Sequence, residues 1–390
     1  MRVGIIGLGR AAAQLLPSLA AHPHAVVAAA ADPNPDARAR FERDFGAPAF
    51  ADAEALCAAA QVDAVYVATP HQQHAADVRI AAAHGKHVMV EKPMALTLED
   101  CDVMTAAAAR AGVALVVGPT HGFDPAIRAM RAIVESGEAG ALRQIVNLTY
   151  TSFLYRPRRP EELDTAQGGG ILFNQVPHAI EIARALDGGA LRSVRAVAGA
   201  WDATRPTEGA LSALLEFDDG VAASLAYSGY DRFDSDELSG WIGEMGDERE
   251  ANEHGAARRA LRGLSQDDEV RRKAASGFAG RGAMRPPAAG SVHQPHFGFL
   301  LASCERADLR PWRDCVLVYD DDGVREIALP TARAYPNKDT AVDELYDAFA
   351  HGVEPLHDGR WGTRTVAAML ALARSARERR EITLREESVC

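Results

Sequence analysis

The hexapeptide Gly7-Leu8-Gly9-Arg10-Ala11-Ala12 limits what this 390-residue chain can fold into more than any other stretch. It has the form G-x-G-x-x-A and stands between an apolar run, Arg2 to Ile6, and a helical run reaching about Ala21. The first glycine permits a tight strand-to-helix turn, and the second lets backbone approach a pyrophosphate lying on the helix N-terminus. Ala12 in the third place still permits close packing of helix on strand. Asp32 ends the next apolar run, Ala25 to Ala31. A carboxylate there accepts hydrogen bonds from the adenosine ribose hydroxyls and repels a 2′-phosphate. Pro33-Asn34-Pro35 follow it, so no arginine stands beside it and NAD is favoured over NADP, with Arg38 and Arg40 close enough in sequence to keep the question open. The plainer alternative is that Asp32 caps the helix starting near Pro35.

Further strands alternate with helices at the spacing of a parallel, doubly wound sheet. Val62 to Ala68 leads into Thr69-Pro70-His71-Gln72-Gln73-His74, a loop at the carboxyl end of a strand that suits cofactor contact. His71 and His74 have H-x-x-H spacing, but no third ligand accompanies them, so no metal is expected. Val88 to Val90 is a short buried strand stopped by Glu91-Lys92-Pro93, because proline cannot donate to a sheet ladder. Glu91 and Lys92 thus arrive at the carboxyl edge, where ligands bind in open α/β sheets. Lys92 is either a salt-bridged edge residue or a proton carrier.

Length alone argues for two domains. A net charge of −12 disfavours nucleic acid and anionic membrane as partners. Five scattered cysteines without CxxC spacing read as reduced thiols. The N-terminus runs straight into a strand with no leader pattern, and polar residues and prolines interrupt Ala11 to Ala31 well short of a membrane span. A soluble, cytoplasmic protein is expected.

After Pro119 the periodicity changes. Asp124 is expected to cap a helix from Pro125 to about Ser136. Strands recur at Gln144–Phe153, Ser193–Ala200, Leu211–Phe217, Val221–Ser228, Cys315–Tyr319 and Val324–Ala328, with Asp218-Asp219-Gly220 and Asp320 to Gly323 as hairpin turns. Gly168-Gly169-Gly170 precedes a helix expected to carry Asn174, His178 and Glu181 on one face. Residues 247–295, rich in Arg, Ala, Gly and charge, read as an insertion with a short exposed helix around Glu253–Leu264 and then a mobile segment. His293 and His296 form a second histidine pair with nothing nearby to complete a metal site. Two helices, Thr340–His351 and an amphipathic Thr363–Arg380, close the chain.

The ordered set of G-x-G-x-x-A, T-P-x-x-x-H at 69–74, Glu91-Lys92-Pro93, the triple glycine with His178, and Val342-Asp343-Glu344-Leu345 through Trp361-Gly362 resembles the Gfo/Idh/MocA family of nicotinamide oxidoreductases over nearly the full chain. Within it, the segment Phe153 to Thr165, Tyr227 to Tyr230 and Gly240 to Gly246 look most like phthalate 4,5-cis-dihydrodiol dehydrogenases. The resemblance implies a Rossmann domain, residues 1–122, and an α+β domain with a large open, mostly antiparallel sheet, 123–337, followed by C-terminal helices packing back on the core, 338–390. It also implies a homodimer or homotetramer through the open sheet and a cis Lys92–Pro93 peptide aiming the ammonium at the substrate. Gly7, Gly9, Arg10, Ala12, Asp32, Thr69, Pro70, His71, His74, Glu91 and Lys92 are the expected NAD contacts.

Lys92 and His178 are the expected catalytic pair, His178 having a backbone-bonded buried histidine as its plainer reading. The family pattern usually has an aspartate where this chain has Asn174, so a Lys–Asp–His relay does not carry over unchanged. His121, Tyr155, Arg156, Arg158, Arg159 and Asn174 are the expected substrate contacts. The three arginines are either a clamp for a dicarboxylate substrate, since guanidinium matches a carboxylate's two oxygens, or a solvated basic loop. The leading expectation is NAD-dependent oxidation of a cyclic secondary alcohol, a carboxylated cis-dihydrodiol. A sugar or inositol dehydrogenase and a non-catalytic NAD-binding sensor are the alternatives.

Overall fold

The computed structural model describes residues 1–59, 61–283 and 292–384. Its first sheet is built from β1 (Arg2–Ile6), β2 (Val26–Ala31), β3 (Ala49–Phe50), β4 (Ala64–Val67), β5 (His87–Val90) and β6 (Leu115–Val117). The strands lie in the order β3-β2-β1-β4-β5-β6 and all pairs are parallel. Every residue of β4 and β6 is buried, as a parallel strand covered on both faces requires. The covering helices include α1 (Arg10–Ala21), α2 (Pro35–Phe45), α3 (Ala53–Ala59), α4 (His74–Ala83) and α5 (Leu98–Ala111). Chain order reverses between β1 and β4, and such a switch point opens a crevice at the strands' carboxyl ends.

The second sheet holds β7 (Leu142–Tyr150), β8 (Leu191–Gly199), β9 (Ala210–Phe217), β10 (Ala222–Ser228), β11 (Phe299–Cys304), β12 (Asp308–Trp312), β13 (Cys315–Asp320), β14 (Gly323–Ala328) and β15 (Ile382–Thr383). Its order is β14-β13-β12-β11-β7-β10-β9-β8-β15. One pair, β7 with β10, is parallel; the others are antiparallel. β11 and β12 were not expected from sequence; Pro311 within β12 masks the strand pattern.

On one side of this sheet lie α6 (Pro125–Glu135), α7 (Gly170–Asn174) and α8 (Val176–Asp187), with α9 (Ala256–Leu261) in a connecting segment. The single helix expected after the triple glycine is two, broken at Gln175 (φ −121°, ψ −45°). Pro177 supplies the reason: it has no N–H for the preceding turn and fits best in the first turn of a new helix, where it stands in α8. Asn174 therefore does not share a helical face with His178 and Glu181.

The remaining helices are α10 (Gln266–Ala275), α11 (Phe278–Arg281), α12 (Pro336–His351) and α13 (Gly359–Glu378). The chain forms two compact units whose composition departs from the expected spans. Residues 266–283 and 332–366 group with 1–119, and residues from 367 group with the second sheet. The reason is visible at Phe278, which is fully buried with ring centroids 6.2 Å from Phe41 and 6.3 Å from Phe45. Arg40 adds hydrogen bonds to the Ala279 and Gly280 carbonyls. A short helix does occur where one was expected in the insertion, at α9, but it is mostly half-buried rather than exposed, and α10 and α11 stand where a mobile segment was expected; Pro286 and Pro287 lie outside the described residues. No described helix is long and apolar enough to cross a membrane.

Candidate active site

In the first unit, Gly7 leaves β1 with φ +92°, and a Cβ there would sit 2.8 Å from the Ala68 carbonyl oxygen. Only glycine fits that turn. A Cβ on Gly9 would meet nothing closer than 4.0 Å, so this glycine leaves open space at the start of α1. The cradle suits a pyrophosphate at a helix N-terminus. Ala12 is fully buried and Arg10, the first residue of α1, is exposed.

Asp32 accepts from the Leu8 N–H at 2.7 Å and from the Asn34 N–H at 2.8 Å. The acid is thus tied to the glycine turn, and the cap of α2 is Asn34, whose side chain accepts from the Asp36 N–H. Arg38 donates to the Asp32 and Pro33 carbonyls, and Arg40 is engaged at Asp44, Ala279 and Gly280. Both arginines that kept NADP in question are spent on the protein's own groups.

Beyond β4, the Thr69 hydroxyl donates to Asp77 at 2.7 Å, Pro70 is exposed, and His71 sits in a single 3₁₀ turn. His74 differs from the expected cofactor contact. Its ring is fully buried, with Nε2 3.0 Å from the Thr69 carbonyl and Nδ1 3.1 and 3.2 Å from those of Pro93 and Met94. Both ring nitrogens face carbonyls of the loops that follow β4 and β5, and the neutral ring donates to one side at a time. The Glu91 carboxylate accepts from the Tyr66 hydroxyl and from the Lys92 N–H. Burial, then Glu91, pushes the Tyr66 phenol well above its usual range. Lys92 is half-buried, and the Lys92–Pro93 peptide is cis.

In the second unit, His121 is the centre of a polar cluster. Its Nδ1 lies 2.7 Å from Asp124 Oδ2 and its Nε2 3.7 Å from Glu244 Oε1. Glu244 in turn receives Arg156 at 3.4 Å. The His121 and His178 rings meet edge to face at 4.9 Å, and Phe297 packs against both. Tyr227 joins Thr151 (2.8 Å) and Gln175 (3.0 Å), its ring stacking on Phe297. Burial alone would lower the pKa of His121, but the Asp124 carboxylate, with Glu244, outweighs it and raises the pKa to about 9. Burial would raise the Glu244 carboxyl, but His121 and Arg156 hold it well below the usual range.

The other expected substrate residues are placed differently. Arg158 is buried, donating twice to the Phe153 carbonyl with its guanidinium 3.8 Å above that residue's ring. Arg159 pairs with Glu161 and Glu162 on the surface. The three arginines therefore do not converge; Arg156 alone joins the histidine cluster. Tyr155 gives its hydroxyl to Asp202, with Arg258 3.9 Å above its ring. Asn174 turns its amide donors onto the Gly168 and Gly170 carbonyls, so it secures the glycine turn. His293 pairs with Asp314 and Glu248, whereas His296 bonds to the Ile242 carbonyl, so this pair does not share a site. Among the described residues no group of three His, Cys, Asp or Glu is placed to hold a metal.

Sequence reasoning missed Glu244 and Asp124. Glu244 is the lone acid in Gly240-Trp241-Ile242-Gly243-Glu244-Met245-Gly246, a signal that was available, whereas Asp124 is disguised by its position before Pro125.

Residues 1–119 match the oxidoreductase family with an NAD-binding Rossmann fold, and residues 127–242 match the Gfo/Idh/MocA C-terminal domain. The chain belongs to the Gfo/Idh/MocA oxidoreductase family. It is an oxidoreductase with NAD as its cofactor. It is similar to 1-carboxy-3-chloro-3,4-dihydroxycyclohexa-1,5-diene dehydrogenase of Comamonas testosteroni, 41% identical over 95% of this chain and 94% of that protein. It also resembles trans-1,2-dihydrobenzene-1,2-diol dehydrogenase of Sus scrofa, 29% identical over 58% of this chain and 68% of the other. A solved structure from Bordetella bronchiseptica RB50 superimposes with a TM-score of 0.94 at 44% identity, covering 98% of this chain and 100% of its own.

Proposed function

We propose that the chain oxidises a carboxylated cyclic cis-dihydrodiol, with phthalate 4,5-cis-dihydrodiol, giving 4,5-dihydroxyphthalate, as the leading substrate. The carrying observation is a basic pair, the buried His121 and the half-buried Arg156, facing Glu244 in a protein of net charge −12. A carboxylate-bearing substrate needs such a pair, whereas a neutral sugar or cyclitol does not. Similarity to a dehydrogenase whose substrate carries a ring carboxylate supports the same reading.

NAD, which Gly7, Gly9 and Asp32 would hold, would supply the acceptor for the hydride that leaves the alcohol carbon. The chain's own task is to take the hydroxyl proton as that carbon is oxidised. We assign this to Lys92, because desolvation and neighbouring positive charge favour the neutral, basic form of a lysine. His178 shares or orients the proton, and Gly7, Gly9 and Asp32 hold the dinucleotide. The ketone first formed from a dihydrodiol tautomerises to a catechol, and the gained aromaticity draws the reaction forward.

The deciding experiment is turnover across a panel of carboxylated and uncarboxylated dihydrodiols, myo-inositol and aldoses, for wild type and Lys92→Ala. NADH from carboxylated dihydrodiols, lost in Lys92→Ala with NAD binding intact, is expected. NADH from inositol or aldoses alone would move the substrate to the polyol class, and no NADH from any member would favour the sensor reading. We further propose that the outward face of the second sheet, which carries exposed Val197 and Leu214 beside Val146, Leu148 and Ala226, docks a second copy. Sedimentation of Leu214→Asp as a smaller species than wild type is the expected result.

A further inference from the structure

The contacts of Glu244 differ in kind from those of its neighbours. Asp124 holds His121 at 2.7 Å with both side chains almost wholly buried. Glu244 reaches Arg156 at 3.4 Å and His121 at 3.7 Å, each through one oxygen. Strong charge-assisted bonds run at about 2.7–2.9 Å, so Glu244 fills the position between two cations without gripping either. Its side chain remains 30% exposed, and that of Arg156 29%. Both have a way out to solvent.

The backbone beneath Glu244 is fixed. The Gly243 N–H donates to the Asp247 carbonyl at 2.7 Å, the Gly246 N–H to the Gly243 carbonyl at 2.9 Å, and Ile242 bridges to Glu248. Glu244 thus rides at the tip of a pinned turn and can exchange its position by side-chain rotation alone. Charge sharpens the point. Arg156 and protonated His121 are already balanced by Glu244 and Asp124. A substrate carboxylate entering beside an unmoved Glu244 would put a third carboxylate among two cations, and like charges at close range are costly.

We propose that Glu244 is a displaceable internal stand-in for the substrate's ring carboxylate, occupying the anion position between Arg156 and His121 until the substrate's own carboxylate takes it. The inference rests on the carboxylated-substrate reading given above. It makes Glu244 a specificity-determining residue: the carboxylate of a correct ligand replaces it at both cations, while a neutral ring leaves it in place.

The test uses the NAD-loaded full chain with benzoate as the carboxylate probe and benzamide as its neutral counterpart, followed by calorimetry and thermal unfolding. In Glu244→Gln the competing charge is gone, so benzoate is expected to bind about tenfold tighter than in wild type, equivalent to about 1.4 kcal/mol. It is also expected to raise the melting temperature more than in wild type, with benzamide binding unchanged. Arg156→Gln should lose benzoate binding whether or not Glu244 is present. Glu244→Asp, which keeps the charge but shortens its reach, is the second variant should the glutamine form fail to fold; it is expected to tighten benzoate by a few-fold on the same scale. Unchanged or weaker benzoate binding in the variant that folds, or an equal gain for benzamide, would overturn the proposal. Because binding is read without turnover, a failure of the dihydrodiol panel shows the catalytic reading to be wrong independently of this result.

Discussion

Asp124 heads helix α6, yet its carboxylate turns away from that helix to lie 2.7 Å from His121 Nδ1. The choice sets the charge of the whole cluster. A histidine raised from 6.5 to about 9 contributes stability that is fully present below pH 6.5 and lost as pH rises through about 9. The total is on the order of 3 kcal/mol at about 1.4 kcal/mol per pH unit. Asp124→Asn should remove most of that contribution, leaving a flatter stability curve between about pH 6.5 and 9. Urea midpoints for the two proteins across that range measure it, and parallel curves would show that Asp124 does not hold the proton on His121.

Asp32 joins the glycine turn to the end of β2 by accepting from Leu8 N–H. Asp32→Ala should raise the KM for NAD by roughly 10–100-fold, the value of one or two hydrogen bonds to a charged acceptor. The gain for NADP should be slight, because Arg38 is committed to the Asp32 and Pro33 carbonyls. Ratios of kcat/KM for the two cofactors report both effects. An unchanged KM for NAD would return Asp32 to a purely local role.

The dinucleotide half was legible because local chemistry dictates it: a turn that only Gly7 can make, a buried run halted by Pro93, an acid at the end of β2. The second half was less so. The histidine cluster of the second unit assembles from residues 121, 124, 156, 178 and 244, which no local period connects. Asp124 looked like a cap because the preference for Asp before Pro is strong and the pull of a buried histidine is invisible in sequence. Asn174 and His178 looked co-facial because the i, i+4 rule assumes an unbroken helix, and Pro177 breaks it. Arg158 and Arg159 were indistinguishable from Arg156 by composition; only the fold shows that a Phe153 carbonyl and two glutamates take them.

Phe278 tests the attachment of the segment that sequence assigned to a mobile insertion. It is fully buried against Phe41 and Phe45, so Phe278→Ala should cost about 3–5 kcal/mol where the cavity cannot collapse. Hydrogen exchange is expected to rise in α11 and along α2, with the second unit unaffected. Exchange unchanged in α2 would mean that this helix does not depend on the docked phenylalanine.

His74 gives the opposite pH signature to His121. Burial lowers its pKa from 6.5, against the carbonyls of Thr69, Met94 and Pro93, which favour the charged ring. A histidine depressed in the folded state contributes stability present above pH 6.5 and lost as pH falls through its folded value. His74→Gln should therefore make stability less sensitive to acid below about pH 6.5, while lowering it near neutrality through unpaired buried carbonyls at about 1–3 kcal/mol each. Adjacency adds a functional consequence, since the carbonyl that His74 holds belongs to Pro93, next to Lys92. If Lys92 is the base proposed above, loosening this loop misplaces its ammonium, so kcat should fall by roughly 10–100-fold, as small misplacements of reacting groups do. The KM for NAD should change little, because Gly7, Gly9 and Asp32 are untouched. A substitution that merely unfolded the unit would raise the KM for NAD and lower kcat together, and that joint change would show His74 to be a packing residue with no positioning role.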